Sequence, residues 1–187
     1  MVRKLKLRKG KKQWFTVVAP EIYKEVEIGE ITAYEPKELP GRKIALTQAQ
    51  VTSNPRDSQK NLEFKVAEVK GTKAHTVPWK FYLQNSYIQR ISRKYRSRFI
   101  VVKYIDTQDK LRIKLKLYAL MQNKITNTIK AALINQLIVS AENMFGKYKA
   151  YDLFVPGNFD KMSVELKNEL IKIYPLSKIL VWKATVV

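Results

Sequence analysis

The stretch LRIKLKLYAL, residues 111–120, sets Leu111, Ile113, Leu115, Leu117 and Ala119 in strict alternation with Arg112, Lys114 and Lys116. A period of two sends alternate side chains to opposite faces of an extended chain, whereas a helix would scatter both sets around its circumference. FIVVKYI (99–105) precedes it across DTQDK (106–110), so the pair is expected to form a β-hairpin. One face of that hairpin must be covered by a core. The other carries a ladder of like charge, which destabilises a bare sheet face. A phosphate backbone laid across the ladder would reverse the sign of that contribution.

The imbalance extends along the chain. Lys and Arg number 36 against 16 Asp and Glu, a formal charge of +20 at pH 7. From Lys70 to Lys116 the only acids are Asp106 and Asp109, both in the expected turn. Such an excess repels itself unless a polyanion neutralises it, and phosphates that do so release condensed counterions, giving sequence-independent affinity. Nucleic acid is the partner this composition points to. The opening VRKLKLRKGKKQWF (2–15) has Arg or Lys at seven of the eleven positions from Val2 to Lys12. With so little to bury, it is expected to be an extended tail that follows phosphates.

Other classes fit less well. No apolar run follows the basic start, as a secretory signal requires. The most apolar window, IKAALINQLIVSA (129–141), is shorter than the ~20 residues that span a bilayer. The chain therefore reads as soluble, with no membrane partner. It has no cysteine, which excludes disulfides, thiol catalysis and zinc ribbons.

Past the tail, Trp14–Val18 reads as a short extended run ended by Pro20. Six of the sixteen acids fall between Glu21 and Glu38, a district suited to solvent or a basic protein neighbour. Residues 40–51 read as a turn and a strand, and 52–61 as a polar loop. In residues 61–71, Leu62, Phe64 and Val66 alternate with charged partners, a half-buried strand closed by Gly71. Pro78 argues for irregular structure over 71–79. A helix is expected over 83–95, with Leu83, Tyr87, Ile88, Ile91 and Tyr95 on one face and Arg90, Arg93 and Arg96 on the other. Residues 125–144 are apolar nearly all round and should be buried on several sides, in the core or against a partner. A short strand and turn over 151–159 precede a helix over 163–174, with Ser163 as N-cap and Pro175 as stop. KILVWKATVV is a terminal strand. Trp14, Trp79 and Trp182 sit among apolar residues and are assigned to the core. Helices and antiparallel strands alternate without βαβ regularity. The class is α+β: a largely antiparallel sheet or barrel-like lobe with packed helices and a basic, extended N-terminal tail.

Catalytic constellations are missing. His75 is the only histidine, and no GxSxG elbow accompanies it. Asp106 and Asp109 could be imagined as the magnesium carboxylates of a nuclease, but turn chemistry explains them better. Six glycines form neither a Walker nor a Rossmann pattern. No cofactor and no small-molecule substrate is implied.

Two segments then carry a resemblance. KKQWFTVVAP (11–20) resembles the Lys-x-Trp-aromatic-x-Val-x-Ala-Pro opening of an archaeal and eukaryotic small-subunit ribosomal protein family, called eS-one or S-three-A-e. IYPLSKILVWKATVV (173–187) resembles that family's Ile-Tyr-Pro-Leu segment and last hydrophobic strand. Between them, GRKIALTQAQV is similar to its glycine-led second strand, LEFKVAEVKG to its Phe-Lys-Leu segment, and Arg93–Tyr95 falls where it carries Arg-Lys-Trp. The chain departs from the pattern in its hairpin turn, where glycine is usual. It departs again in MQNKITNTIKAAL, which replaces an Arg-rich stretch, so no RNA contact is carried onto 121–135. Ending near Val187, it looks archaeal in type. The resemblance implies a non-catalytic component of the small ribosomal subunit, on the platform near the rRNA 3′ end and the mRNA exit. Small-subunit rRNA, neighbouring ribosomal proteins and mRNA near the exit are the partners it implies, in the cytoplasm.

The resulting expectation is a basic RNA-binding extension at 1–12 and one body at 13–187, or two closely joined lobes, a β-rich 13–121 and a helix-rich 122–187. RNA contacts are expected from Arg3, Lys4, Lys6, Arg8, Lys9, Lys11 and Lys12 in the tail, from Arg90, Arg93, Arg96 and Arg98 around the helix, and from Arg112, Lys114 and Lys116 on the hairpin. Trp14 and Phe15 are expected to anchor the tail to the body. The competing reading is a free-standing nucleic-acid chaperone or chromatin-type protein using the same surfaces.

Overall fold

The computed structural model describes residues 10–95 and 97–187. Its strands are β1 (Gln13–Val18), β2 (Glu27–Ala33), β3 (Lys43–Thr47), β4 (Lys60–Lys70), β5 (Lys73–Leu83), β6 (Ser97–Asp106), β7 (Arg112–Met121) and β8 (Lys178–Val186). Its α-helices are α1 (Gln48–Thr52), α2 (Asn85–Ser92), α3 (Asn127–Phe145) and α4 (Asn158–Leu170). The strands make one open sheet along the path β2-β1-β5-β8-β7-β6, with β3 and β4 attached through β5. All pairings are antiparallel except β1 with β5. The fold is α+β, as the alternation of elements implies.

The β6–β7 hairpin pairs in register from Ser97↔Met121 to Asp106↔Arg112. Its inward set, Phe99, Val101, Ile105, Ile113, Leu115, Leu117 and Ala119, is buried. The chain's last strand, β8, inserts between β5 and β7, so N- and C-terminal segments share one sheet. The main core lies between this sheet and α3 and α4; α4 packs on β8, and α3 on α4 and β6. A smaller core of Phe15, Val17, Ala33, Leu39, Val66 and Ala74 lies beneath β1 and β2.

Several expectations are corrected. Residues 73–83 form a long regular strand despite Pro78. On one edge of β5 the β1 pairing ends at His75 and the β8 pairing begins at Lys80. Pro78 falls between them, where no ladder on that edge calls for its missing N–H. Thr76 secures the fork by donating from Oγ1 to the Val18 carbonyl at 2.8 Å. The acidic district contains strand β2, and the strand read over 40–51 stops at Thr47, where a capping box with Gln50 starts α1. Leu83 belongs to β5, and α2 spans only Asn85–Ser92. Residues 152–154 form a 3₁₀ turn rather than a strand.

In α3, Leu133, Leu137, Ala141 and Phe145 are buried, while Ala131, Ala132, Asn135, Gln136 and Val139 are exposed. Within the chain this helix is therefore covered on one side; its outward positions are mostly alanine and amide residues that tolerate water, with Val139 the apolar exception. Ser163 is not an N-cap. The α4 helix starts five residues earlier at Asn158, after Gly157 at φ +87°, and Ser163 Oγ donates inside the helix to the Phe159 carbonyl at 2.7 Å. Trp14 is 66% exposed, whereas Phe15 is 2% exposed. Adjacent residues of a strand face opposite sides, so only one of the two aromatics could enter the core.

Candidate nucleic-acid interface

The two remaining tryptophans are only half-buried for a shared reason, although Trp182 still packs against the main core beside Tyr118. In β4–β5, Glu63 pairs with Lys80 and Phe64 with Pro78, leaving Trp79 as the extra residue of a β-bulge. In β7–β8, Lys116 pairs with Lys183 and Leu117 with Val181, leaving Trp182 as the extra residue of a second bulge. A bulge re-aims a side chain and shifts the phase of the alternation beyond it. In β5 the buried set is Ala74, Thr76 and Pro78 before the bulge, then Phe81 and Leu83 after it. In β8 it is Ile179 and Val181 before, then Ala184 after. Both indoles are half-buried, and each lies beneath an ammonium: Lys43 Nζ is 3.3 Å from the Trp79 ring centre, and Lys116 Nζ 3.6 Å from that of Trp182.

These positions lie on the sheet face away from the main core. Lys80 and Tyr82 of β5, Lys183 of β8, Lys114 and Lys116 of β7 and Tyr104 of β6 share it, by alternation and register. Lys80 Nζ lies 4.5 Å from the Tyr82 ring centre, and Lys114 Nζ 5.1 Å from that of Tyr104. Cations interleaved with aromatic rings suit single-stranded nucleic acid, where ammonium groups take phosphates and π-faces take bases. Glu63 is engaged by Lys80 on this face, and Asp106 by Arg112 Nε at 2.9 Å. Lys183 is left in a crowd: partial burial first, then the charge of Lys80, lower its pKa, with Lys114 and Lys116 adding to the effect against the opposing pull of Glu63. On the helix side, by contrast, Lys103 meets Glu142 at 3.0 Å, and Lys60 is held by Asp57 at 2.8 Å and by Asp160.

The residues singled out from sequence fall into separate places. Lys114 and the half-buried Lys116 belong to the face, and Arg112 stands at its end, tied to Asp106. Arg93, the C-cap of α2, and Arg98, near the start of β6, line a common groove at one end of the face. Arg90 lies apart from them, 5.5 Å from the Tyr87 ring centre, which Lys178 Nζ also approaches at 5.9 Å. Lys11 and Lys12 are exposed ahead of β1, with Lys12 Nζ 5.5 Å from the Tyr34 ring centre. Arg3, Lys4, Lys6, Arg8, Lys9 and Arg96 lie outside the described residues. Sequence reasoning missed Lys43, Trp79, Lys80, Tyr82, Tyr104, Trp182 and Lys183. The available signal was a tryptophan directly followed by lysine in two strand segments, TVPWK and ILVWK.

Among the described residues, no three acidic or histidine side chains converge as metal ligands, and no helix is long and apolar enough to cross a membrane. Comparison with known proteins adds an independent finding. The sequence pattern of the Ribosomal S3Ae family matches residues 3–187. The small ribosomal subunit protein eS1 of Archaeoglobus fulgidus is 29% identical over 174 residues, covering 90% of this chain and 81% of that protein. The protein of the same name from Nanoarchaeum equitans is 30% identical over 166 residues, covering 88% and 83%. That of Natronomonas pharaonis is 24% identical over 181 residues, covering 97% and 88%.

Proposed function

The chain belongs to the ribosomal S3Ae family, and from that premise we propose that it binds the rRNA of the small ribosomal subunit through the basic, aromatic face of its sheet. Its role is that of a structural ribosomal protein of archaeal type rather than an enzyme. The observation that carries the RNA reading is the pair of bulges that turn Trp79 and Trp182 outward beneath Lys43 and Lys116. Each ring is left half-buried with an ammonium over it, an arrangement suited to phosphate and base together.

On this reading the lysines of β5, β7 and β8 neutralise phosphates. The basic extension at 1–12 follows the rRNA, and Phe15 fixes the start of the body at 13–187. The acidic segment from Glu21 to Glu38 suits a basic neighbouring ribosomal protein, since like charge keeps it away from phosphate. The site on the platform, near the rRNA 3′ end and the mRNA exit in the cytoplasmic ribosome, is supported by the family resemblance.

Sucrose-gradient sedimentation of the tagged protein from its native lysate, at moderate and then high salt, tests the assignment. Stoichiometric migration with the small subunit that survives high salt is the expected result. A protein at the top of the gradient, or one that binds duplex DNA as well as rRNA, would make it a free-standing polyanion binder instead.

A further inference from the structure

At one end of the sheet face, between α2, the start of β6 and α3, lies an open groove of about 760 Å³. Its walls include Phe99, Ile100, Ile134 and Ile88, and its aromatic part is the pair Tyr118 and Trp182, with ring centres 5.8 Å apart. Tyr118 is fixed. Ser92 Oγ donates to the Ile88 carbonyl at 2.6 Å, so the buried Tyr118 hydroxyl, 2.5 Å away, donates to Ser92. Trp182 is half-buried, and Ile100 is 45% exposed. The charged side chains among the described lining residues are Arg93, Arg98 and Lys130, and no carboxylate accompanies them.

Those features select an occupant. A half-buried indole in a largely apolar groove whose charged side chains are all cationic matches a planar, partly apolar group that carries negative charge, and the volume is that of a small-ligand site. Trp182 lines the groove and carries Lys116 of the face over its ring, so a strand crossing the face is led into the groove. Resting on the rRNA-binding reading, we propose that the groove receives an unpaired nucleotide of that RNA strand. Its base packs on the half-buried Trp182, which the buried Tyr118 backs from the core side, and its phosphates lie among Arg93, Arg98 and Lys130. A base held in an A-form duplex cannot reach such a ring, so the groove distinguishes single-stranded from double-stranded RNA. The position of Lys130 gives the residues just after the hairpin a role, although they lack arginine.

The test uses the full chain and two probes: an unstructured RNA of roughly ten nucleotides carrying one 5-iodouridine, and a duplex of the same length. Photocrosslinking followed by peptide mapping is expected to place the single strand on Trp182. Arg98→Gln with Lys130→Gln is expected to weaken single-strand binding roughly tenfold while duplex binding falls far less. Ile100→Asp, at an exposed wall position, sets a carboxylate against the phosphate and should act in the same direction with the fold intact. Normal affinity in these variants, with crosslinks elsewhere, overturns the groove but leaves the rRNA reading standing. Competition by a glutamate-rich peptide as potent as RNA overturns it in favour of an acidic protein segment. Failure of the unsubstituted chain to bind either RNA at low salt removes both readings.

Discussion

Lys183→Gln should make the free protein more stable while making it a poorer RNA binder, and the opposition of these two signs is the decisive feature. Lys183 sits directly across from Lys116, with Lys80 and Lys114 close enough to lower its pKa further. Two like charges roughly 6–8 Å apart in a water-like dielectric repel by about 0.5–0.7 kcal/mol. Removing one member of the crowd, and with it a small attraction to Glu63, should therefore raise stability by about 0.5–1 kcal/mol at low salt. That is a rise in Tm of about 1–4 °C for a chain of this size. The gain should fade by 1 M salt, where the Debye length shrinks to about 3 Å. RNA binding by the same variant should lose one phosphate contact, lowering the slope of log K against log salt by about 0.7–0.9. Thermal melts and filter binding across a salt series read both quantities. A lower Tm at low salt would show that Glu63 outweighs the lysines and that the like-charge reasoning is wrong. An unchanged salt slope would mean that this face does not meet phosphate.

Phe15→Ala should destabilise the fold by about 3–5 kcal/mol, whereas Trp14→Ala should shift chemical denaturation by no more than about 0.5 kcal/mol; equal effects would mean that the register of β1 is wrong. Lys60 joins Asp57 and Asp160, and although burial opposes its charge, the two carboxylates raise its pKa above the ordinary 10.5. A cation whose folded pKa is raised stabilises fully below the unfolded value and loses that contribution as pH climbs through the folded one. Lys60→Met should accordingly be less stable than the unsubstituted chain by about 1–2 kcal/mol at neutral pH. In denaturant titrations this gap should close above pH 10.5, and a gap independent of pH would assign it to packing.

The parts of the fold legible in the sequence are those where a local period has a single geometric solution. The β6–β7 hairpin declares itself because the alternation of β7 runs unbroken from Leu111 to Leu117, next to an apolar run in β6 across a polar turn. β5 was hidden by one residue, since Pro78 excludes a strand only where a ladder on one edge demands its N–H, and the edge that forks there makes no such demand. β2 was hidden by its composition: Glu27, Glu30 and Gly29 depress strand propensity, and only pairing with β1 over the smaller core stabilises it. The α3 helix misled in the opposite sense. Apolar character all round argues for burial on several sides, but alanines on its outer surface are equally content in water.

The candidate site was half legible for a more specific reason. Net charge revealed that a polyanion must be met somewhere, and the β7 ladder supplied two lysines of the place. The rest depends on bulges, and a bulge is invisible to any reading that assumes a constant period. Each one turns a tryptophan toward the outer face and, by resetting the phase, brings a lysine with it. Without the bulge in β8, continued alternation from Val181 would point Lys183 into the core and Ala184 to the surface. The register shift exchanges them, burying Ala184 and adding Lys183 to a face already crowded with positive charge. It thus improves the core on one side while raising repulsion on the other, and that repulsion is relieved when an anion covers the face.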